Sequence, residues 1–190
     1  IASTRRWLAD CAGRFSHIRP ILTPRFTPAC SDGLLQDLGA LAAETGLPVQ
    51  SHLSENPAEV AWVRELHPDC GQYWESYAKY GLWNGRTAMA HCVYSDRRER
   101  QAMGDAGVLA VHCPDSNTSL SSGIAPVRRM LEEGVKVALG SDIAGGAELA
   151  MNRVAAGAIR ASKLLALSDP DHPAFLTVPE AYYLATTAGH

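Results

Sequence analysis

Short apolar runs alternate along the chain with longer stretches whose apolar positions fall three and four residues apart. "HIRPILTPRF" is strand-like around Ile21 and Leu22. Ser31 then stands as an N-cap ahead of Leu34, Leu35, Leu38 and Leu41, which share one helical face, and Gly46 stops that helix. "LPVQSHL" predicts the next strand. Asn56 follows as an N-cap with Pro57 at the first helical position and Glu59 at the third, and Val60, Val63 and Leu66 make the apolar stripe behind it. "TAMAHCV" predicts a third strand with a helix starting near Ser95. "VLAVHC" predicts a fourth, running into the turn "PDSN". "VKVALGSD" predicts a fifth, followed by an alanine-rich helix from about Glu148 to Leu167 and a last helical segment from near Pro179 to the end.

Strands separated by helices imply parallel pairing through right-handed crossovers. The strands read as continuous apolar runs, as expected where both faces are covered. That pattern fits either an open doubly wound sheet or part of an eight-stranded barrel. No G-x-G-x-x-G follows any strand, which weighs against a nucleotide-binding open sheet. Arg25, His52, His91, Asn117 and Asp142 all fall at or just after the C-terminal ends of successive strands, where barrel enzymes assemble their sites. The predicted class is therefore α/β, a partial (β/α)8 barrel of about five parallel strands, with residues 1–190 forming one domain.

Bulk properties leave that picture intact and remove several function classes. Apolar residues make up 46% of the 190, charged residues 19%, and the formal charge is -3, so no polyanion-binding surface and no nucleic-acid partner is expected. The short basic run Arg97, Arg98 and Arg100 reads as a solvated helix face. Five cysteines without a C-x-x-C pair fit a reduced, cytoplasmic chain better than a disulfide framework. No apolar stretch is long enough to span a bilayer, so no membrane partner is expected. The chain opens at "IASTRRWLAD" without a methionine, which predicts a piece of something longer.

Taken singly, each candidate has a bland explanation. A strand-end histidine is commonly a hydrogen-bonded structural residue, Glu55 suits a helix start, and Asp142 in "GSDIAGG" suits a turn. Taken together, two imidazoles and two carboxylates converging on one barrel mouth supply what a zinc-hydrolytic site needs. The pairs His91–Cys92 and His112–Cys113 suggest a rival metal site. Strand alternation points neighbouring side chains to opposite faces, so the cysteines read as small core residues and His112 as a packed histidine. His17, His67, His172 and His190 lie in loops or at the terminus, with nothing to mark them as ligands.

The segments "PRFTPACS", "QSHLSENPAEV", "MAHCVYSD", "VHCPDSNTSLSSG" and "LGSDIAGG", in this order from about Pro20 to Leu165, resemble the motifs of the guanine deaminases in the amidohydrolase superfamily of metal-dependent barrels. The resemblance implies that His52 and Asp142 are zinc ligands, with Asp142 also the catalytic base. It implies Glu55 as the proton shuttle, His91 as the residue that holds the attacking water, and Arg25 and Phe26 as purine contacts, so that Arg25, Phe26, His52, Glu55 and Asp142 surround the substrate. The implied reaction is zinc-dependent hydrolysis of guanine to xanthine and ammonia. Separately, exposed parallel edges are a liability, so a homodimer or strand exchange is expected. The deaminases that act on flipped bases carry H-x-E with P-C-x-x-C, and "CPDSN" has no second cysteine at that spacing.

One departure is large. The family takes two further zinc ligands from an H-x-H motif on its first barrel strand, and no H-x-H occurs among the 190 residues. The predicted strands correspond to the fourth through eighth of the barrel, and the missing ligands and terminal β-domain are expected outside this sequence. The residues leave two other readings open: a deaminase or chlorohydrolase of another purine, pterin or triazine ring, and a non-catalytic barrel piece.

Overall fold

A computed structural model describes residues 1–189; His190 lies outside the described residues. Four strands, β1 (Val49–Leu53), β2 (Thr87–His91), β3 (Leu109–His112) and β4 (Lys136–Leu139), form one parallel sheet in chain order. The helices are α1 (Ala2–Cys11) and α2 (Asp32–Thr45) before β1, and α3 (Pro57–Leu66) and α4 (Glu75–Ala78) between β1 and β2. α5 (Arg97–Ala106) precedes β3, α6 (Pro114–Ser119) and α7 (Val127–Glu132) precede β4, and α8 (Met151–Ser168) and α9 (Val178–Ala185) follow it. Parallel neighbours joined by helical crossovers are the repeating unit of a βα barrel.

The expected first strand is reduced to one bridge between Leu22 and Val49. Leu22 N–H donates to the carbonyl of Pro48 at 2.9 Å, and its own carbonyl accepts from Gln50 N–H at 2.9 Å. The next positions whose N–H would face the same neighbour are Pro20 and Pro24, and neither has a proton to donate. The ladder therefore cannot extend in either direction.

Local signals place the other elements. Ser31 Oγ accepts from Leu34 N–H, and Gly46 ends α2 at φ 69°, a left-handed conformation that glycine adopts without a Cβ clash. Asn56 and Glu59 form a complete capping box at α3. The "PDSN" turn is the start of the short helix α6, and the alanine-rich helix begins at Met151 rather than Glu148. The basic run is divided: Arg97 and Arg98 are exposed, whereas Arg100 is buried, pairing with Glu133 at 2.7 Å and donating to the carbonyl of Ser95 at 2.7 Å.

Burial alternates along the first two strands, against the expectation that both faces are covered. Val49, Leu53 and Met89 pack under the helices with Leu35, Leu41 and Met103, while Gln50, Ala88 and Ala90 lie on an incompletely covered inner face. In a barrel that face looks across the lumen, and the one described sheet has four strands. Among the described residues, no helix is long and apolar enough to cross a membrane.

Two buried groups in this core titrate in opposite senses. Burial raises the Glu99 carboxyl to about 7 from an ordinary 4.5, and lowers His112 to about 4 from 6.5. Between those values the folded chain keeps a proton on Glu99 that the unfolded chain releases, so this contribution to stability falls as pH rises through the window. His112 does the reverse: the unfolded chain takes up a proton that the folded chain refuses, so stability falls as pH drops from 6.5 towards 4. Each contribution is about 3 kcal/mol, and they largely offset between pH 4.5 and 6.5. Glu99→Gln removes one of them, and urea titrations should then show stability falling steadily on acidification through that interval. A flat profile in the variant would contradict the assignment of His112.

Candidate active site

"SHLSE" carries the chain out of β1, and a buried tyrosine holds its first two residues. Tyr77 Oη donates to the carbonyl of His52 at 2.8 Å, lies 2.9 Å from Ser51 Oγ, and accepts from Thr27 N–H at 3.1 Å. One hydroxyl thus ties Thr27, the residue after Phe26, to the end of β1. Nδ1 of His52 is 2.5 Å from the carbonyl of Arg25. A carbonyl can only accept, so Nδ1 carries the proton and Nε2 keeps its lone pair.

Three further groups come from the ends of other elements. His91 ends β2 and stacks on His52, with ring centroids 5.1 Å apart. Its Nδ1 donates to Asn117 Oδ1 at 2.8 Å, and its Nε2 lies 3.9 Å from Glu55 Oε2. Glu55 precedes α3, and its Oε1 accepts from Ser122 Oγ at 2.9 Å. Asp142 follows β4, and its Oδ2 accepts from Ser116 Oγ at 2.5 Å, which leaves the other carboxylate oxygen free to bind or take a proton. Phe26 meets His52 edge-on at 6.4 Å and Trp62 at 6.3 Å between centroids.

Arg25, Phe26, His52, Glu55, His91 and Asp142 all line one cavity of about 240 Å³. Left-handed backbone clusters around it: Ser54 at φ 47°, His91 at 73°, Cys92 at 51° and Asp142 at 45°. Non-glycine residues hold that conformation at a cost of about 1–3 kcal/mol each, and such strain concentrates where side chains must be aimed. Gly145 is required here, because a Cβ would sit 2.7 Å from both Asp142 Oδ2 and Ser116 Oγ.

The sequence reading did not single out Ser116 or Ser122, and it placed Asn117 only at the rim. All three belong to α6 and the turn after it: Ser116 holds Asp142, Asn117 holds His91, and Ser122 holds Glu55. The signal available was the polar density of "DSNTSLSS". Cys92 and Cys113 are buried, burial pushes the Cys113 thiol up to about 12, and His112 is buried as expected. Among the described residues no three His, Cys, Asp or Glu side chains converge as a metal-holding group.

The model of the amidohydrolase family matches residues 7–190. The chain belongs to that family. This amidohydrolase chain is 42% identical over 172 residues to the guanine deaminase of Dictyostelium discoideum, covering 90% of the chain and 38% of that protein. It is 37% identical over all 190 residues to the guanine deaminase of Homo sapiens, of which it covers 42%. Among solved structures it is similar to the guanine deaminase of C. acetobutylicum with guanine bound in the active site. There the TM-score is 0.96 at 41% identity, covering 99% of this chain and 45% of that one. The amidohydrolase chain thus spans about two fifths of the length of the curated relatives it matches.

Proposed function

We propose that the whole protein hydrolyses guanine to xanthine and ammonia, with this chain supplying one wall of the site. The observation that carries the reading is the single cavity onto which His52, Glu55, His91 and Asp142 converge beside Arg25 and Phe26. The similarity to guanine deaminases along nearly the whole chain supports it.

The donor set suits zinc. Nε2 of His52 has a free lone pair because Nδ1 is committed to Arg25, and Asp142 offers one carboxylate oxygen while Ser116 holds the other. Bound there, zinc would lower the pKa of a water towards neutrality and so supply the nucleophile. Asp142 takes the proton that water releases. Glu55 delivers one proton to a ring nitrogen and regains it from the hydroxyl of the tetrahedral adduct, while Asp142 passes the proton it took to the departing amine as the carbon–nitrogen bond breaks, so that guanine and water become xanthine and ammonia. His91, with its Nδ1–H given to Asn117, turns the Nε2 lone pair towards the attacking water and orients it by accepting a hydrogen bond. Arg25 faces the purine carbonyl and Phe26 offers the ring an apolar surface.

Two direct ligands fall short of the three or four protein ligands that usually hold catalytic zinc. The 190 residues alone are expected to keep well under one zinc per chain after dialysis, and the whole protein about one per subunit. Elemental analysis of both checks this, and one firmly held zinc in the chain alone would show that its own residues complete the site. Ammonia release measured across guanine, adenine, a pterin and a chlorotriazine tests the substrate class, with guanine expected to be preferred. The reading includes a cytoplasmic location, which the five free cysteines support, with neither membrane nor nucleic acid as partner. It also includes a homodimer, which would cover exposed apolar side chains such as Leu167 and Tyr182.

A further inference from the structure

One buried carboxyl group near the site takes no part in that chemistry. Glu99 on α5 is 3% exposed, and its Oε1 accepts from both Ser54 Oγ and Ser95 Oγ at 2.7 Å. Burying a carboxyl is costly, and an apolar side chain would fill the same space with less penalty. What the carboxyl gains is a hold on Ser54.

Ser54 stands directly before Glu55 in the left-handed conformation, at φ 47°. Its carbonyl accepts from Tyr94 N–H at 2.8 Å, and its hydroxyl reaches Glu99. Glu55 leaves this turn with its N–H donated to Glu59 Oε2 at 2.8 Å and its carboxylate held by Ser122. Ser54 is the residue through which the backbone enters Glu55, so its backbone angles set the direction from which the Glu55 side chain departs. Behind the turn lies a second cavity, of about 250 Å³, lined by Ser54, Tyr73, Tyr94 and Glu99. That cavity leaves the turn without close packing on this side, where the Ser54–Glu99 hydrogen bond is made.

We propose that Glu99 is a positioning residue for Glu55, acting through the Ser54 hydroxyl to keep the turn aimed at the site. The inference rests on the role given to Glu55 above. The test uses the zinc-loaded whole protein with Glu99→Ala, Ser54→Ala, the double variant and Glu99→Gln. Glu99→Ala and Ser54→Ala should each lower kcat for guanine about tenfold with KM within about twofold, since misplacement penalises the transition state more than binding. The double variant should fall no further than the weaker single one, because both changes break the same link. Glu99→Gln keeps a carbonyl oxygen for the two serines and should retain at least about half of kcat.

A merely structural role predicts lower thermal stability with kcat unchanged in the protein that folds, and that result overturns the inference. Losses that multiply in the double variant overturn it too. If Glu99→Ala does not fold, Ser54→Ala decides by the same criterion. If the parent does not deaminate guanine, the functional reading fails by itself. The positioning role is then read from amide exchange at Glu55, where at least about tenfold faster exchange in Ser54→Ala supports it and unchanged exchange refutes it.

Discussion

Glu55→Gln in the whole protein is expected to lower kcat about a hundred- to ten-thousandfold, the span that general acid–base catalysis typically contributes. Glutamine keeps the shape and the acceptor that Ser122 Oγ engages at 2.9 Å, so the turn and the capping box of α3 should persist. What it loses is the proton that must reach the ring nitrogen. Zinc content should stay at its parent value, because Glu55 is not among the direct ligands. A role confined to starting α3 predicts a small stability loss with turnover nearly intact. Steady-state kinetics beside elemental analysis separates the two, and an unchanged kcat would return Glu55 to the structural role.

The second large effect concerns substrate choice. Guanine presents a carbonyl oxygen where adenine presents an amino group, and a guanidinium has only donors to offer. Arg25 is exposed at the cavity rim, with Phe26 beside it resting on Trp62. Its backbone is fixed independently, since its carbonyl accepts from His52 Nδ1 and Ser51 Oγ. Removing the side chain should therefore spare the site and strip out the recognition. Arg25→Ala is expected to cost about 2–4 kcal/mol in kcat/KM for guanine, by loss of a charge-assisted hydrogen bond and desolvation of an unpaired carbonyl. The effect on adenine should be small. Normal guanine turnover by the variant would remove Arg25 from the pocket and leave only the broader hydrolase reading.

The features legible in the sequence were those whose chemistry is local. The Asn56–Glu59 capping box, the Ser31 cap and the left-handed Gly46 involve partners within a few residues, and each occurs where the pattern put it. Strand ends were legible because polar residues interrupt apolar runs there, which is how His52, His91 and Asp142 came to notice. The first strand failed because its apolar run was weighed without the two prolines that remove its ladder donors. Helix α1 escaped because its inward edge is short, with only Leu8 and Cys11 half-buried and apolar, while Arg5 pairs with Glu44 across the surface.

The supporting contacts of the site could not be read in advance. Ser122 meets Glu55 across 67 residues of sequence, and Ser54 meets Glu99 across 45. A serine in a loop looks the same whether its hydroxyl faces water or a carboxylate. Arg100 was misjudged for a related reason: charge runs are usually solvated, but Glu133 lies where it neutralises the buried guanidinium.

The central claim is hydrolytic deamination of guanine at a site that this chain helps to build. Turnover of guanine by the zinc-loaded whole protein in ¹⁸O-labelled water tests it most directly, with ammonia and xanthine quantified together. Equal amounts of the two products are expected, with one solvent oxygen in each xanthine. Absence of xanthine, or xanthine without solvent oxygen, would contradict it.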